Sequence, residues 1–241
     1  MKKTCVVTGG SSGIGLSIVK LFEQNDYQVF NLDLSPSTTG EFCQCDVTDV
    51  KQVTAIINEI SQKQSIDVLV SNAGIHFSAN IENTSEDELD KVFNINVKGA
   101  YAAVKAVLPV MKSNNSGSII LISSDQALIA KQNSFAYNLS KAALASMAKT
   151  TALDYAPFNI RANAVCPGTI ETPLYHQAIN SYCKKSGANK AAVHSEEEKL
   201  QPLNRLGQPE EVAELVLFLA SNKAKFITGS LQVIDGGYTV Q

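Results

Sequence analysis

Tyr137 and Lys141 are the two residues of this sequence whose types and spacing most clearly suggest chemistry. They lie in a stretch, 135–156, that is rich in alanine and contains neither glycine nor proline, which predicts a helix. Side chains four positions apart lie on one helix face. A phenol titrates near pH ~10, and a nearby ammonium favours the phenolate. The pair therefore predicts a general acid/base with a lowered phenol pKa, although a packed tyrosine beside a solvated lysine has the same spacing.

The composition around this pair is that of a globular protein. The chain has 241 residues, of which 44% are hydrophobic and 18% are charged, and this predicts one large α/β domain with a substantial core. The net charge is −3 and the lysines are dispersed, so the sequence indicates neither nucleic acid nor a membrane surface as a partner. The expected partners are small molecules and further copies of the chain.

The cysteines and histidines predict neither disulfides nor a metal site. The cysteines are scattered and odd in number, which is typical of reduced, mostly buried thiols, and the histidines lack the spacing of metal ligands. The first apolar run is too short for a secretory signal and no long apolar segment follows, so the expected location is the cytoplasm. The cysteines are Cys5, Cys43, Cys45, Cys166 and Cys183, and the histidines are His76, His176 and His194.

A glycine-rich loop near the start of the chain predicts a nucleotide site. Residues 3–7 are β-prone, the loop 8–15 follows, and apolar residues at helical spacing come next. Glycines allow close approach of a ligand, and the free N–H groups at a helix start attract a diphosphate. A generic glycine turn is the alternative interpretation. The residues predicted to bind the diphosphate are Gly9, Ser11, Ser12, Gly13, Ile14 and Gly15.

Asp33 indicates which dinucleotide would bind. It ends the second predicted strand, where a carboxylate accepts hydrogen bonds from the adenosine ribose and repels a 2′-phosphate. No lysine or arginine stands in the loop or just after Asp33, so NAD is predicted over NADP. Asp33 could instead simply open the turn before Ser35. Asp46 and Val47, at the end of the third predicted strand, are expected beside the adenine.

Short β-prone runs alternate with helical stretches along the whole chain. Because crossovers between parallel strands are right-handed, this alternation predicts a Rossmann-like, doubly wound α/β fold. It would have a parallel seven-stranded sheet with helices on both faces, in a single domain over residues 1–241. The predicted strands are 3–7, 27–33, 41–45, 66–70, 117–122, 161–166 and 231–234.

A predicted long helix, at about 86–111, is interrupted in its middle. The segment 94–99, Asn-Ile-Asn-Val-Lys-Gly, places polar residues and a glycine inside an otherwise good helix, which predicts a kink. Two helices that meet at a loop are the alternative.

Hydroxyl and amide side chains follow two of the predicted strands. Ser123 and Ser124 follow the fifth, and Asn72, Ala73 and Gly74 follow the fourth. Ligands of such sheets bind at the carboxyl ends of the strands, where the helix with Tyr137 must also return. The sequence thus predicts a ligand site at this edge.

These segments together resemble the short-chain dehydrogenase/reductase family. The resemblance rests on Thr-Gly-Gly-Ser-Ser-Gly-Ile-Gly at 8–15, Asn-Ala-Gly at 72–74, Asn96, Ser124, Tyr137-x3-Lys141 and Pro167-Gly168. It extends from residue 3 to the end, and Ser124 stands 13 positions before Tyr137, as is usual in the family. One departure is Ser71, where many relatives carry a second asparagine.

The resemblance implies a role for each of these residues. Tyr137 would accept the proton in alcohol oxidation, Ser124 would hold the substrate oxygen, and Asn96 would position a proton-relay water. Lys141 would lower the phenol pKa and bind the nicotinamide ribose. Asn72, Ala73, Gly74, Pro167, Gly168, Ile170 and Thr172 would border the cofactor. The family also implies a homotetramer with contacts at the Tyr137 helix and the terminal segment.

The polar segment at about 173–208 lies between site residues and the next predicted helix. This placement predicts a partly mobile lid over the substrate, with residues 174–176 as candidate lining.

The sequence thus predicts an NAD-dependent oxidoreductase for a small secondary alcohol or ketone. An NADPH-dependent 3-oxoacyl-[acyl-carrier-protein] reductase shares the architecture, but Asp33 argues against it. A non-catalytic nucleotide-sensing protein would be expected to lose catalytic positions, and Asn96, Ser124, Tyr137 and Lys141 are all present.

Overall fold

Seven strands form one parallel sheet in the computed structural model, which describes residues 2–240 apart from the side chain of residue 185. The sheet order is β3-β2-β1-β4-β5-β6-β7 and each neighbouring pair is parallel. The predicted fold class is therefore confirmed. The strands are β1 (Lys3–Thr8), β2 (Tyr27–Asp33), β3 (Glu41–Gln44), β4 (Val68–Ser71), β5 (Gly117–Ile122), β6 (Ile160–Pro167) and β7 (Leu231–Ile234).

The described chain has eight α-helices, and five of them pack on the sheet. Helices α1 and α8 pack on one face, and α2, α4 and α5 pack on the other. The central strands are apolar on both sides, because successive side chains point to opposite faces: Val6 joins one core, and Cys5 and Val7 join the other. The helices are α1 (Gly13–Gln24), α2 (Val50–Lys63), α3 (Glu86–Phe93), α4 (Gly99–Ser113), α5 (Phe135–Tyr155), α6 (Pro173–Ser186), α7 (Lys190–Leu200) and α8 (Pro209–Ala220).

The strand order reverses between β1 and β4. From β1 the chain moves outward through β2 to β3, and it then returns to place β4 on the other side of β1. Such a reversal leaves a crevice at the carboxyl ends of the two strands, since the following connections diverge. The glycine loop after β1 and residues 72–74 after β4 border this crevice.

A π-helical turn, Asn94–Lys98, joins α3 to α4 without a loop. The predicted interruption is confirmed, and the alternative of two helices at a loop is wrong. Backbone dihedrals stay in the right-handed helical region at Phe93 and Gly99 on either side of the turn. One residue is thus inserted into the helix register, which turns Asn96 toward the interior, where it is buried.

The segment 173–208 contains α6 and α7. Thr172 caps α6 by accepting from the Tyr175 amide at 3.2 Å, and Asn189 caps α7. The Tyr175 hydroxyl lies 2.8 Å from His194 Nδ1, which connects the two helices.

The described range, residues 2–240, contains neither a candidate membrane span nor a candidate metal cluster. None of its helices has both the length and the apolar character needed to cross a bilayer. Nor does any group of three or more His, Cys, Asp or Glu side chains between residues 2 and 240 come together as metal ligands would.

Candidate active site

The glycine loop is held against the end of β2 by hydrogen bonds that include three from its backbone amides. The Gly9 amide donates to the Leu32 carbonyl at 2.8 Å. The Gly10 amide donates to Asn31 Oδ1 at 3.0 Å, and the Ser11 amide donates to Asp33 Oδ2 at 3.0 Å. The buried Asn31 was not singled out from the sequence, because an asparagine inside a strand carries no recognisable motif. It fixes the loop that would receive a diphosphate.

Glycine is required in this loop by both conformation and space. Gly9 has φ +69°, and a Cβ there would lie 2.7 Å from the Ala73 Cα. A Cβ at Gly15 would lie 2.1 Å from the Gly9 carbonyl oxygen and 2.5 Å from Asn72 Nδ2. The loop, the start of α1 and residues 72–73 therefore pack too closely for any side chain at these two positions.

The start of α1 fits an anionic group. Ser12 is the N-cap residue, and in the described structure neither its side chain nor any acidic side chain of the first turn occupies the N-terminal N–H groups. Such free N–H groups attract a phosphate. Gly13 lies close to Thr172, whose Cβ would be 3.4 Å from a Cβ at position 13, so Thr172 reaches the same loop.

Asp33 presents its carboxylate at the rim of the sheet. Oδ1 accepts from the Ser35 amide at 2.9 Å, and Oδ2 accepts from the Ser11 amide. A carboxylate has about four acceptor positions, so capacity remains for ribose hydroxyls. The structure thus links Asp33 directly to the glycine loop, which the alternative of a simple turn-opening residue does not require.

Residues 72–74 connect the loop to the second half of the site. Thr8 Oγ1 accepts from the amides of Asn72 and Ala73 at 3.1 and 3.2 Å, and Asn72 Nδ2 donates to the Gly9 carbonyl at 2.8 Å. A Cβ at Gly74 would lie 3.3 Å from Asn96 Oδ1 and 3.7 Å from Lys141 Nζ. The predicted cofactor and catalytic residues therefore meet at Gly74.

Asn96 is buried, and both the oxygen and the nitrogen of its amide group are hydrogen-bonded. Oδ1 accepts from the Ile75 amide at 2.8 Å, and Nδ2 donates to the Ile75 carbonyl and to Ser140 Oγ, both at 3.0 Å. The π-helical turn carries this side chain to the strand β4 loop on one side and to α5 on the other. The Asn96 side chain therefore holds the loop after β4 and helix α5 in place relative to each other.

Lys141 is buried on α5 and is held by the end of β5. Its Nζ donates to the Ile122 carbonyl at 2.8 Å, and its own carbonyl accepts from Ser123 Oγ at 2.7 Å. Nζ lies 5.4 Å from the centroid of the Tyr137 ring, within the range of a cation–π contact. Burial lowers the pKa of Lys141 to about 8.

Ser124 and Tyr137 meet at the end of β5. Burial raises the pKa of Tyr137, the Asp125 carboxylate raises it further, and a hydrogen bond with the Ser124 side chain lowers it. The expectation that the ammonium lowers the phenol pKa is thus wrong for this structure. The reason is that Lys141 lies over the ring, 5.4 Å from its centroid, and desolvation of the phenolate dominates.

Two further residues touch this centre and were missed from the sequence. His76 packs the edge of its ring against Tyr137, with centroids 4.8 Å apart, and burial together with Lys131 and Lys141 lowers its pKa. Asp125 is buried and accepts a 2.6 Å hydrogen bond from Ser124 Oγ. No motif marks either position, and only their placement beside Tyr137 identifies them.

The other predicted cofactor residues lie farther along the same edge. The Gly168 amide donates to the Ile234 carbonyl at 3.0 Å, which places the Pro167-Gly168 turn beside β7, and Ile170 is buried. At the opposite end, the Asp46 carboxylate accepts from the Thr48 amide and hydroxyl at 2.9 and 2.8 Å. Val47 is buried and packs against Gly99. The structure thus distributes these residues along the carboxyl edge of the sheet.

Gln201 adds a buried amide beside the Pro167-Gly168 turn. Its Oε1 would be 3.2 Å from a Cβ at Gly168, and neither of its amide atoms has a protein partner among the described residues. It lines a cavity of about 80 Å³ together with Asp235, and a cavity of this size holds the waters that would satisfy it.

Solved structures similar to this chain include a dehydrogenase, a member of a short chain dehydrogenase family and a protein with NADP bound. A short chain dehydrogenase family protein from Francisella tularensis has 41% identity and a TM-score of 0.92, with 100% of both chains covered. Aldohexose dehydrogenase from Thermoplasma acidophilum has 40% identity and a TM-score of 0.94, covering 100% of this chain and 95% of that one. ElxO with NADP bound has 35% identity and a TM-score of 0.90, with 100% of both chains covered.

Proteins similar in sequence to this chain include an oxidoreductase, a reductase and a dehydrogenase. Oxidoreductase UcpA of Escherichia coli O157:H7 is 37% identical, over 99% of this chain and 95% of the relative. The 3-oxoacyl-[acyl-carrier-protein] reductase FabG of Thermotoga maritima is 35% identical over 99% and 98%. NAD-dependent glycerol dehydrogenase of Listeria innocua is 35% identical over 99% and 94%. A family model described as enoyl-(acyl carrier protein) reductase matches residues 9–239. The chain belongs to the short-chain dehydrogenase/reductase family and is an oxidoreductase.

Proposed function

We propose that this oxidoreductase transfers a hydride between NAD(H) and a small secondary alcohol or ketone, with Tyr137 as the general acid/base. The observation that carries the proposal is the meeting of Tyr137, Ser124 and Lys141 at the sheet edge, beside the loop that fits a diphosphate. The nicotinamide, when bound, supplies or accepts the hydride. The chain has to orient the reacting carbon, polarise the substrate oxygen and move one proton.

Tyr137 carries the proton in this proposal. Its raised pKa keeps the phenol protonated at neutral pH, which suits donation to a carbonyl oxygen in the reductive direction. In the oxidative direction the phenol must first lose its own proton to solvent, and its oxygen then accepts the proton of the alcohol. Ser124 holds the substrate oxygen beside the phenol, and Lys141 binds the nicotinamide ribose. Asn96 holds the Ile75 backbone and α5 so that Lys141 stays in place, and we propose that it also positions a proton-relay water.

A substrate panel tests this assignment. Secondary alcohols and polyols are offered with NAD, and the corresponding ketones with NADH, and turnover is followed by the absorbance of the reduced cofactor. The aldohexose and glycerol dehydrogenases among the similar proteins are the reason for including polyols. Turnover of at least one member is expected, and its absence over the whole panel with both cofactors would contradict the proposal.

We propose NAD rather than NADP as the preferred cofactor, since Asp33 would lie near a 2′-phosphate and repel it. Asp33→Ala should weaken the preference for NADH over NADPH by at least about tenfold, because one charge pair of this kind contributes about 1–4 kcal/mol. Dissociation constants for both cofactors are measured by quenching of protein fluorescence. Leu34→Ala, at the exposed neighbouring position, is the matched control and should leave the ratio unchanged. Tighter binding of NADPH by the unmodified protein would overturn the assignment.

A second candidate function is reduction of a carrier-bound 3-oxoacyl chain with NADPH. It is favoured by the similarity to FabG and by the NADP bound in ElxO. Asp33 argues against this function because its carboxylate would repel the 2′-phosphate. In addition, neither the loop nor residues 34–45 offer a lysine or arginine for the 2′-phosphate. Adding a 3-oxoacyl thioester with NADPH to the panel distinguishes the two functions. A nucleotide-sensing protein without catalysis would bind cofactor and turn over no member of the panel.

We also propose that residues 173–208 cover the substrate. Their first helix, α6, follows directly on Thr172 at the cofactor loop, and the Tyr175–His194 hydrogen bond makes α6 and α7 move together. Hydrogen exchange of this segment should slow when NADH is added. Equal exchange rates with and without NADH would contradict a lid.

We propose a homotetramer as the assembly. Several large apolar side chains are exposed on α5 and near the C-terminus, among them Leu153 at 78% and Phe226 fully. Exposed apolar groups of this size are typical of contact surfaces. Sedimentation velocity is expected to give four times the monomer mass, and a monomeric mass would contradict the proposal.

A further inference from the structure

Asp125 occupies a position next to the proposed reaction that the motifs do not explain. It is the first residue of the 3₁₀ turn after β5, it follows Ser124 directly, and only 2% of its surface is exposed. Oδ1 accepts the 2.6 Å hydrogen bond from the Ser124 hydroxyl. Oδ2 is buried and has no hydrogen-bond partner among the residues that the structure describes. A carboxyl group left half unpaired in the interior is costly, which suggests a function.

The hydrogen bonds of Ser124 limit what its hydroxyl can do. A hydroxyl has one proton to donate and two positions at which it accepts. Ser124 Oγ accepts from the Gln126 amide at 3.2 Å and donates its proton to Asp125. An ionised Asp125 can only accept, so the hydroxyl has no proton left for a substrate. The one remaining position of Ser124 is an acceptor, to which the protonated phenol of Tyr137 can donate.

A substrate carbonyl oxygen needs a hydrogen-bond donor rather than an acceptor. It has lone pairs only, and the negative charge that develops on it during reduction is stabilised by donors. When Asp125 is protonated on Oδ1, this O–H donates to Ser124 Oγ. The two acceptor positions of Ser124 are then filled by Asp125 and Gln126, and the hydroxyl proton is free to turn toward the substrate. No proton is gained or lost by Ser124 in this rearrangement.

We propose that Asp125 is a positioning residue that sets the hydrogen-bond direction of Ser124, so that Ser124 donates to the substrate oxygen only when Asp125 is protonated. This inference rests on the function proposed above. It assigns a role that the motifs leave open, since they identify Ser124 but not the group that controls its proton.

Charged and titratable groups face Asp125 from every neighbouring segment. Burial raises the pKa of Asp125, and the charge of Asp235 raises it further. Three groups lower this pKa: the hydrogen bond from Ser124, the charge of Lys131 and the Gln126 amide. The net shift is upward. The charge of Asp125 in turn raises the pKa of Tyr137 on α5 and of Cys166 on β6. The direction of the pH dependence follows from this. Below the pKa of Asp125, Ser124 donates to the substrate oxygen and reduction is fast. Above that pKa, the donor is lost and reduction is slow.

The test is the pH dependence of kcat for ketone reduction. The unmodified enzyme should lose activity about tenfold per pH unit above the Asp125 pKa, until the slower form with Ser124 held by Asp125 dominates. In Asp125→Asn the amide donates to Ser124 at every pH. This variant should lack the descending limb and should exceed the unmodified enzyme at least about tenfold at high pH, because one oxyanion donor contributes about 10²–10³ in kcat. Lys131→Met should move the inflection upward without removing it.

Two comparisons decide whether the effect passes through Ser124. In a Ser124→Ala background, Asp125→Asn should leave the pH profile unchanged. Coinciding profiles of the unmodified enzyme and Asp125→Asn would overturn the proposal, as would an Asp125→Asn effect that persists in Ser124→Ala.

A measurement without turnover separates this proposal from the proposed function. The Asp125 carboxyl carbon is titrated by 13C NMR and assigned by its loss in Asp125→Asn. Its pKa should rise in Ser124→Ala, since the bond from Ser124 lowers it. An unchanged pKa would refute control of Ser124 by Asp125 even if the enzyme is active, whereas failure of the substrate panel alone would refute only the function.

Discussion

Tyr137→Phe is expected to lower kcat by about 10³-fold, because the substitution removes the oxygen that transfers the proton, and positioned acid/base groups contribute about 10²–10⁴. The aromatic ring stays, so its contacts with His76 and with the Lys141 ammonium are retained. Cofactor affinity should therefore change by less than about twofold. The measurements are kcat with the best substrate of the panel and the NADH dissociation constant by fluorescence.

A matched control for this variant is Tyr101→Phe. The Tyr101 hydroxyl accepts a hydrogen bond from Lys105 on the exposed side of α4, far from the sheet edge, and its loss should leave kcat unchanged. Thermal unfolding of both variants shows whether the fold is intact. Turnover by Tyr137→Phe within tenfold of the unmodified enzyme would remove Tyr137 from the mechanism.

Asn96→Ala is expected to lower the free energy of unfolding by about 2–4 kcal/mol, because it leaves buried hydrogen-bonding groups without partners. The Ile75 amide, the Ile75 carbonyl and Ser140 Oγ each lose a partner at 2.8–3.0 Å. The connection from the π-helical turn to α5 is lost with them, so kcat should fall as Lys141 and Tyr137 lose their alignment. Urea denaturation gives the stability change.

Ser140→Ala is the smaller change in the same network. It removes the hydroxyl that accepts from Asn96 and donates to the Tyr137 carbonyl at 2.8 Å, but leaves both bonds to Ile75. We expect a loss of about 1 kcal/mol. Equal effects of the two substitutions would mean that the bonds to Ile75 contribute little.

The strands and helices were largely predictable, because each has a strong local pattern. The bounds of β2, β5 and β7 agree with the prediction, and the others differ by one or two residues at their ends. Cys45 was assigned to β3 but lies just beyond it, and 66–67 precede β4. Apolar periodicity marks the body of a strand, whereas its end depends on where the neighbouring strand stops pairing.

The π-helical turn illustrates what the sequence indicates without resolving. Polar residues and Gly99 in a helical stretch predicted an interruption, but a loop was equally compatible with them. The choice depends on the partners of Asn96, which lie 21 positions back in the chain at Ile75 and 44 positions ahead at Ser140. Contacts at such separation leave no local pattern.

The sequence by itself determined the chemistry that the site can attempt: a phenol and an amine one helical turn apart, a serine at a strand end, and a glycine loop followed by an acid. These features are local and were visible in residue type and spacing. The tertiary structure decided the electrostatics. It buried Lys141, left Tyr137 half-buried, raised the phenol pKa instead of lowering it, and placed Asp125 against Ser124. A pKa depends on all surrounding solvent and charge. Groups on or just after β5 and β6 act on Tyr137 and Lys141 only because the chain folds them onto one edge.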